Sequence, residues 1–488
     1  MARITGMMLI VLALGLTFPI AVSLYTADGA QFALTLSALS ILAVGLLLRN
    51  IVGRGAQYDL REKESIWLTV TIWLLIPLCG ALPYLFTGPL SETTAGSNSD
   101  ASAIVDALFE SFSGFTTTGS SVVTHPEELP PGLLVYRAMT QWIGGLGLIL
   151  FIVALLRKLG VGAGQLYAAE FSGTQQRKLH PRLAKSVTRM WNIYIAITAV
   201  LIVLLLLNGA SLVDAVSLSF STVSTGGFVT HSAGVTQLGT GVTTVLVVFM
   251  FLSGINVALL YRFVTLRWRH LLHDEELRVY VAVFILSVTV CCLSFLLAGN
   301  TLWQSLGYSL FHIASTMSTC GYYLPHISHW SLTVSVLTFI LIVVGASAGS
   351  TGGGVKLRRI IVLTKYIGNY FVRMMHPNAV FRVKVNGQAV DDDYIHKIFA
   401  FVFLYLAFLV AGAFVLTLSG CSIADAVCMA AANISNLGPS PLINGLGGNL
   451  DYSLLPNIAK LTLMALMLAG RLEIFALVAV FSPSYWRN

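Results

Sequence analysis

Four short stretches of the chain share one pattern of apolar, hydroxyl and glycine residues. They are DALFESFSGFTTTGSS from Asp106, DAVSLSFSTVSTGGFVT from Asp214, YSLFHIASTMSTCGYY from Tyr308 and DAVCMAAANISNLGPSP from Asp425. A glycine stands 13 positions after the first residue of each: Gly119, Gly227, Gly321 and Gly438, at intervals of 108, 94 and 117 residues. Glycine tolerates positive φ, so such a turn can aim its carbonyls at one axis without a Cβ clash. A ring of carbonyls replaces the water shell of a dehydrated monovalent cation. The candidate ligating residues are Thr117, Thr118 and Gly119; Thr225, Gly226 and Gly227; Thr319, Cys320 and Gly321; and Asn436, Leu437 and Gly438. A single Gly–Ser stretch would read as ordinary small-residue helix packing. Four at matched offsets, each between two apolar runs, would not.

The elements that position these turns follow from the flanking residues. Each stretch opens with about ten moderately apolar residues, enough for a short helix and too few to span a bilayer. Asp106, Asp214 and Asp425 are expected to cap these helices at their positive ends. The small-residue stretch then turns back, because irregular backbone at membrane depth must be buried in protein or line a watery cavity. Four such re-entrant helices would point their negative ends at one cavity.

Ten apolar runs approach the length of a spanning helix: 7–25, 32–48, 66–86, 133–156, 190–207, 242–261, 279–298, 331–363 (interrupted), 398–418 and 458–481. The chain is 56% hydrophobic and 10% charged, with a mean hydropathy of +0.82. That composition excludes soluble multidomain and disordered classes. The net charge of +7 could suggest nucleic acid, but no basic patch is interleaved with aromatics, so no nucleic-acid partner is expected. Basic residues instead gather on one side of the runs, with Arg137, Lys460 and Arg471 inside them. The positive-inside rule then puts both termini in the cytoplasm. Glu92, Asp100, Glu127 and Glu128 leave the opposite face negative. The first run is longer than a signal peptide's apolar region, so an uncleaved helix is the reading.

Two further features lie within apolar runs. The segment GASAGSTGGGVK at 345–356 has Gly345, Gly349, Gly352, Gly353 and Gly354 before Lys356. Five glycines destabilise a helix by several kcal/mol, at about 1 kcal/mol each, so a break in mid-membrane is expected. Its ending does not match a phosphate-binding loop. Arg471 interrupts the last run, at an insertion cost of at least about 2.5–3.5 kcal/mol. Glu473 lies two positions on and therefore on another face. A watery cavity or an interhelical salt bridge would each accommodate Arg471. Arg137 reads as a bridge near the outer mouth, and Lys460 as a snorkelling side chain there. The histidine pairs of HLLH at 270–273 and HISH at 326–329 lack a third ligand, and the six cysteines show no paired spacing. No catalytic constellation stands out, so an enzyme is not expected.

The loops TTTGS at 116–120, STGGF at 224–228, STCGY at 318–322 and SNLGP at 435–439 resemble the four filter loops of the TrkH/KtrB/HKT superfamily of potassium transporters. Two extra N-terminal spans and the length resemble its TrkH/TrkG branch. The resemblance implies an all-α polytopic membrane protein, with helix–pore loop–helix repeats around a pseudo-fourfold pore. It implies K+ as the transported ion, a homodimer in the bacterial inner membrane, and a cytosolic nucleotide-binding subunit resembling TrkA. It also implies that segment 345–356 and Arg471 form the gate. The fourth loop, with Asn436, Leu437 and Pro439, departs furthest from a Thr-rich filter. The chain then divides into 1–65, two extra helices and a linker, followed by repeats at 66–189, 190–278, 279–397 and 398–488. No organic cofactor is expected, and lipid surrounds the spans. A secondary transporter of another small solute, or a Na+-coupled cation symporter, is the alternative. Each repeat here holds two spans, however, so successive units share orientation, whereas inverted repeats need an odd number.

Overall fold

Long apolar runs become helices because only internal hydrogen bonding satisfies a backbone away from water. The computed structural model describes residues 1–52, 62–88, 90, 100–147, 182–264, 273–323, 331–376, 382–439 and 451–481. The His326–His329 pair, His270, Glu92 and most of the charged segment 157–189 lie outside the described residues.

An N-terminal group of α1 (Ala2–Gly15), α2 (Thr17–Thr26) and α3 (Gln31–Leu47) precedes four similar units. The first unit holds α4 (Glu62–Gly80), α5 (Leu82–Thr87), α6 (Asp100–Phe115) and α7 (Pro131–Trp142). The second holds α8 (Arg182–Leu207), α9 (Leu212–Val223), α10 (Thr240–Ser253) and α11 (Val257–Val264). The third holds α12 (Glu275–Leu297), α13 (Leu302–Met317), α14 (Leu332–Val344) and α15 (Leu357–Met375). A small antiparallel pair follows, β1 (Lys384–Val385) and β2 (Gln388–Ala389), with Lys384 opposite Ala389. The fourth unit holds α16 (Asp392–Leu418), α17 (Ile423–Ile434), α18 (Asn457–Arg471) and α19 (Phe475–Phe481). This is a polytopic helical membrane fold of helix–pore loop–helix repeats, as expected.

The helices are unequal in a regular way. Among the described residues, six are long and apolar enough to cross a membrane: Ala2–Thr26, Gln31–Asn50, Lys63–Thr87, Thr188–Leu207, Glu275–Leu297 and Asp392–Leu418. Two are N-terminal, and the other four each open a unit. The second long helix is instead broken in the second, third and fourth units, while in the first it runs on into a π-turn. A π-turn at Ile143–Gly147 follows α7, residues 254–256 separate α10 from α11, residues 345–356 separate α14 from α15, and residues 472–474 separate α18 from α19. The sequence reading expected only the break at 345–356, so the runs 242–261 and 458–481 are corrected. Residues 148–156 lie outside the described residues.

The helix caps also need correction. Ser211 and Ser422 are the N-caps of α9 and α17, accepting from the backbone N–H of Asp214 at 3.1 Å and of Asp425 at 3.2 Å. Asp214 and Asp425 sit three residues later, where their carboxylates accept from the same serine hydroxyls at 2.6 and 2.7 Å. Serine fits the cap because its short hydroxyl both accepts and donates. The carboxylates still favour the positive end of the helix dipole. Asp106 lies inside α6, where it is buried and ion-paired with Lys460 at 2.5 Å. Lys460 also donates to the Ser453 carbonyl at 2.9 Å and is 1% exposed, so it does not snorkel. Arg137 forms the expected bridge, with Glu110.

Candidate functional site

The short helices α6, α9, α13 and α17 all end in one backbone motif. The N–H groups of Thr117, Thr225, Thr319 and Asn436 donate to the carbonyls of Gly114, Thr222, Thr316 and Asn433 at 3.0–3.1 Å. Those of Thr118, Gly226, Cys320 and Leu437 donate to the carbonyls of Ser113, Ser221, Ser315 and Ala432 at 2.7–2.9 Å. These are the paired bonds of a Schellman C-cap, whose turning residue is left-handed and usually glycine. Here it is Thr117 (φ 55°), Thr225 (φ 56°), Thr319 (φ 59°) and Asn436 (φ 50°). A β-branched residue in that region is an outlier, and strain of this kind gathers at functional sites. Asparagine tolerates it more readily, which accounts physically for the departure of the fourth loop. The sequence reading noticed the threonines as oxygen donors but not as turning residues.

The matched glycines follow two positions later, with φ of 78–85°. Together they close a ring. A Cβ on Gly119 would lie 2.1 Å from the Gly226 carbonyl oxygen, and one on Gly227 would lie 1.9 Å from that of Cys320. A Cβ on Gly321 would lie 2.0 Å from the Leu437 oxygen, and one on Gly438 would lie 2.1 Å from that of Thr118. Each loop thus packs its glycine against the next loop's carbonyl, and the fourth returns to the first. No side chain fits at any of the four glycines without displacing backbone.

The ring is braced by polar side chains. Asn436 donates to Thr118 Oγ1 at 3.0 Å and to the Met467 carbonyl at 2.9 Å. Ser120 donates to Asn433 at 2.9 Å, and the hydroxyls of Tyr322 and Thr222 lie 3.0 Å apart. Gln141 donates to the Gly226 carbonyl at 2.7 Å. The sequence reading did not single out Gln141, a lone polar residue within an apolar run.

Segment 345–356 lies against the ends of three of the short helices. Its neck is closed by bonds from the N–H of Val355 to the Val343 carbonyl and of Lys356 to the Val344 carbonyl, both 2.9 Å. Thr351 Oγ1 donates to the Val223 carbonyl at 3.3 Å, and the Gly353 N–H donates to Thr319 Oγ1 at 2.9 Å. Cβ atoms on Gly352 and Gly353 would lie 2.7 Å from the Ser318 oxygen and 2.0 Å from the Ser435 oxygen. The segment also exchanges bonds with the break at 254–256: Ser347 N–H to the Gly254 carbonyl, and Val257 N–H to the Gly349 carbonyl, both 3.1 Å. The Ala348 N–H donates to Glu276 at 2.6 Å.

Arg471 reaches this segment. It donates to the Thr351 carbonyl at 3.0 Å and to the Gly144 and Gly145 carbonyls in the π-turn after α7. Glu473 does point elsewhere, pairing with Arg359 at 2.5 Å and lying 3.9 Å from Lys356. Glu473 and Ile474 both have left-handed φ, of 51° and 58°, and Lys356 has φ 74°. The break in the last span is therefore tied to the middle of the 345–356 segment, at Thr351, and to its C-terminal end, at Lys356. The sequence reading placed Gly345, Gly349, Gly352, Gly353, Gly354, Lys356 and Arg471 here; it noted Glu473 only as facing away from Arg471, and missed Arg359 and Glu276.

At the other end of the ring, Glu127 accepts from the Ser232 N–H at 2.7 Å and from its hydroxyl at 2.5 Å. Partial burial pushes this carboxyl up, but Ser232 and neighbouring His125 outweigh it and hold it below the usual range.

Residues 83–488 match the family model described as TrkH, cation transport protein. A Trk system potassium uptake protein TrkH of Salmonella typhimurium is 34% identical, covering 100% of this chain and 99% of the relative. A Trk system potassium uptake protein TrkG of Escherichia coli K12 is 31% identical over 90% of each chain. The crystal structure of the potassium transporter TrkH from Vibrio parahaemolyticus superposes with a TM-score of 0.86 at 30% identity, covering 100% of this chain and 99% of that one.

Proposed function

Because the chain belongs to the TrkH family of cation transport proteins, we propose that it is a potassium uptake subunit that conducts K+ through a pore within one chain. The observation that carries this reading is the closed ring of Gly119, Gly227, Gly321 and Gly438 on the carbonyls of Gly226, Cys320, Leu437 and Thr118. Four backbone turns fixed by mutual contact hold carbonyl oxygens at set spacing, which is what a dehydrated cation requires. The residues Thr117–Gly119, Thr225–Gly227, Thr319–Gly321 and Asn436–Gly438 are its selectivity filter.

Segment 345–356 is the gate. It lies against the short-helix ends on the side of the ring where Arg471 adds a positive charge, and a cation leaving the ring must pass both. The excess of Lys and Arg in the loops on that side supports cytoplasmic termini, in the bacterial inner membrane. A homodimer and a cytosolic nucleotide-binding subunit resembling TrkA complete the assembly. This last part rests on the family resemblance, and the Trk-system naming of the relatives supports a multi-component system.

The test is rubidium uptake into proteoliposomes with sodium as competitor. Gly119→Ser and Gly227→Ser should each weaken discrimination against sodium. Unchanged discrimination in both, with folding intact, removes the filter assignment.

A further inference from the structure

Two buried polar residues on one face of α7 grip the first two loops from behind. Arg137 and Gln141 are four residues apart and so share a face; they are 2% and 0% exposed. The Arg137 guanidinium is used in three directions. Its Nε donates to Glu110 on α6, its Nη2 to Ser121 Oγ at 2.8 Å, and its Nη1 to the Val229 carbonyl at 3.0 Å. It also lies 3.8 Å over the Phe228 ring. Glu110 in turn accepts from Ser121 Oγ and from the Val122 N–H, both at 3.1 Å. One turn on, Gln141 donates to the Gly226 carbonyl at 2.7 Å and accepts from the Phe228 N–H at 3.2 Å.

These bonds converge on one contact of the ring. Ser121 and Val122 follow Gly119 in the first loop, and Phe228 and Val229 follow Gly227 in the second. The oxygen that Gln141 holds is the one against which Gly119 packs. We infer that Arg137 and Gln141 are positioning residues for ion selection, setting the spacing of the first and second loops. The inference rests on reading the ring as the cation filter.

The chemistry favours this role over simple stabilisation. A buried ion pair is weak support for stability, since apolar replacements of both partners are often neutral or stabilising. What an apolar pair cannot supply is a planar fork bonding a carboxylate, a hydroxyl and a carbonyl at once. Lysine, a compact point charge, cannot supply it either.

The experiment measures rubidium uptake and its inhibition by sodium in proteoliposomes of the full chain, with thermal stability followed in parallel. The variants are Arg137→Met/Glu110→Gln, Arg137→Lys, Gln141→Leu and, as a reference for the ring itself, Gly227→Ser. The double variant removes the fork without stranding a buried charge. It should fold with near-native stability, yet lose discrimination against sodium by about threefold to tenfold, the worth of one or two positioning hydrogen bonds. Arg137→Lys should fail to restore discrimination, and Gln141→Leu should lower it. Native discrimination in the folded double variant, with Gly227→Ser defective, overturns the clamp and leaves the filter reading standing. Native discrimination in Gly227→Ser, and in Gly119→Ser measured beside it, overturns both. If the double variant does not fold, Gln141→Leu decides: reduced discrimination supports the clamp, and unchanged discrimination overturns it.

Discussion

Arg471 Nη1 donates to the carbonyl oxygen of Thr351 at 3.0 Å, so the end of α18 is bonded to the middle of segment 345–356. The same guanidinium reaches the carbonyls of Gly144 and Gly145. A single side chain therefore links the first, third and fourth units beside the ring.

Removing that link should favour the open state. Arg471→Ala deletes the bonds to Thr351 and the positive charge, and shortening segment 345–354 deletes the obstruction. On the proposed gate, each should raise basal K+ flux and weaken control by the proposed regulatory subunit, because regulation can only shift an equilibrium whose closed state remains favoured. Liposome flux with and without the partner checks this. Low, fully partner-dependent flux in a folded deletion variant would place the gate elsewhere.

The left-handed turning residues should respond differently to glycine. Thr225 Oγ1 bonds locally, to the Ser224 carbonyl. Thr225→Gly relieves strain, so stability should be unchanged or higher by up to about 1 kcal/mol. Asn436→Gly keeps the turn but deletes the bonds to Thr118 and Met467. It should lower stability by about 1–3 kcal/mol. Thermal unfolding of the two purified variants measures the contrast, and equal effects would contradict it.

Glu473 and Arg359 form a pair with side chains 11% and 6% exposed. Glu473→Gln leaves the guanidinium in a low-dielectric site and should destabilise by roughly 3 kcal/mol or more. Heating followed by size-exclusion chromatography would show this as an earlier loss of the monodisperse peak. A variant as heat-resistant as the parent would mean that the pair is well solvated.

Asp28 ties the N-terminal helices to α7 by accepting from the Gly132 N–H at 2.7 Å. Burial raises its carboxyl, but bonds from Ser23, Gly132, Ala30 and Thr26 outweigh that and hold it below the ordinary value. A carboxyl depressed by folding contributes stability above its unfolded value, near about pH 4, and loses it as pH falls through the folded value. Protection of the Gly132 N–H from hydrogen exchange, taken relative to its intrinsic rate at each pH, should therefore fall in acid below that point. Asp28→Asn should exchange faster at neutral pH and lose most of the acid dependence.

The repeat, the four turns and the broken helix at 345–356 were legible because each depends on local composition. Five glycines in one segment leave little choice, and a glycine every hundred residues is visible without coordinates. The π-turn at 143–147 and the breaks at 254–256 and 472–474 were not legible. Gly144, Gly145 and Gly254 look like ordinary packing glycines in apolar runs, and Leu472–Ile474 contains no glycine at all. Only the tertiary partners explain them: a Cβ on Gly144 would lie 1.9 Å from the Phe115 oxygen, and Gly254 accepts from Ser347. The capping aspartates were misplaced for a similar reason. At Asp214 and Asp425 the charged residue draws notice, while the serine three positions earlier makes the bond. Lys460 and Asp106 stand 354 positions apart, and nothing local predicts their meeting.

The four contacts that close the ring are chemically distinct, since the carbonyls belong to a threonine, a glycine, a cysteine and a leucine. In an assembly of four identical chains, one codon change alters every quadrant of such a ring together. Here one change alters a quarter of it. If the ring is the proposed filter, ion preference can therefore be adjusted in single steps by inheritance, with three quadrants holding the geometry while the fourth varies.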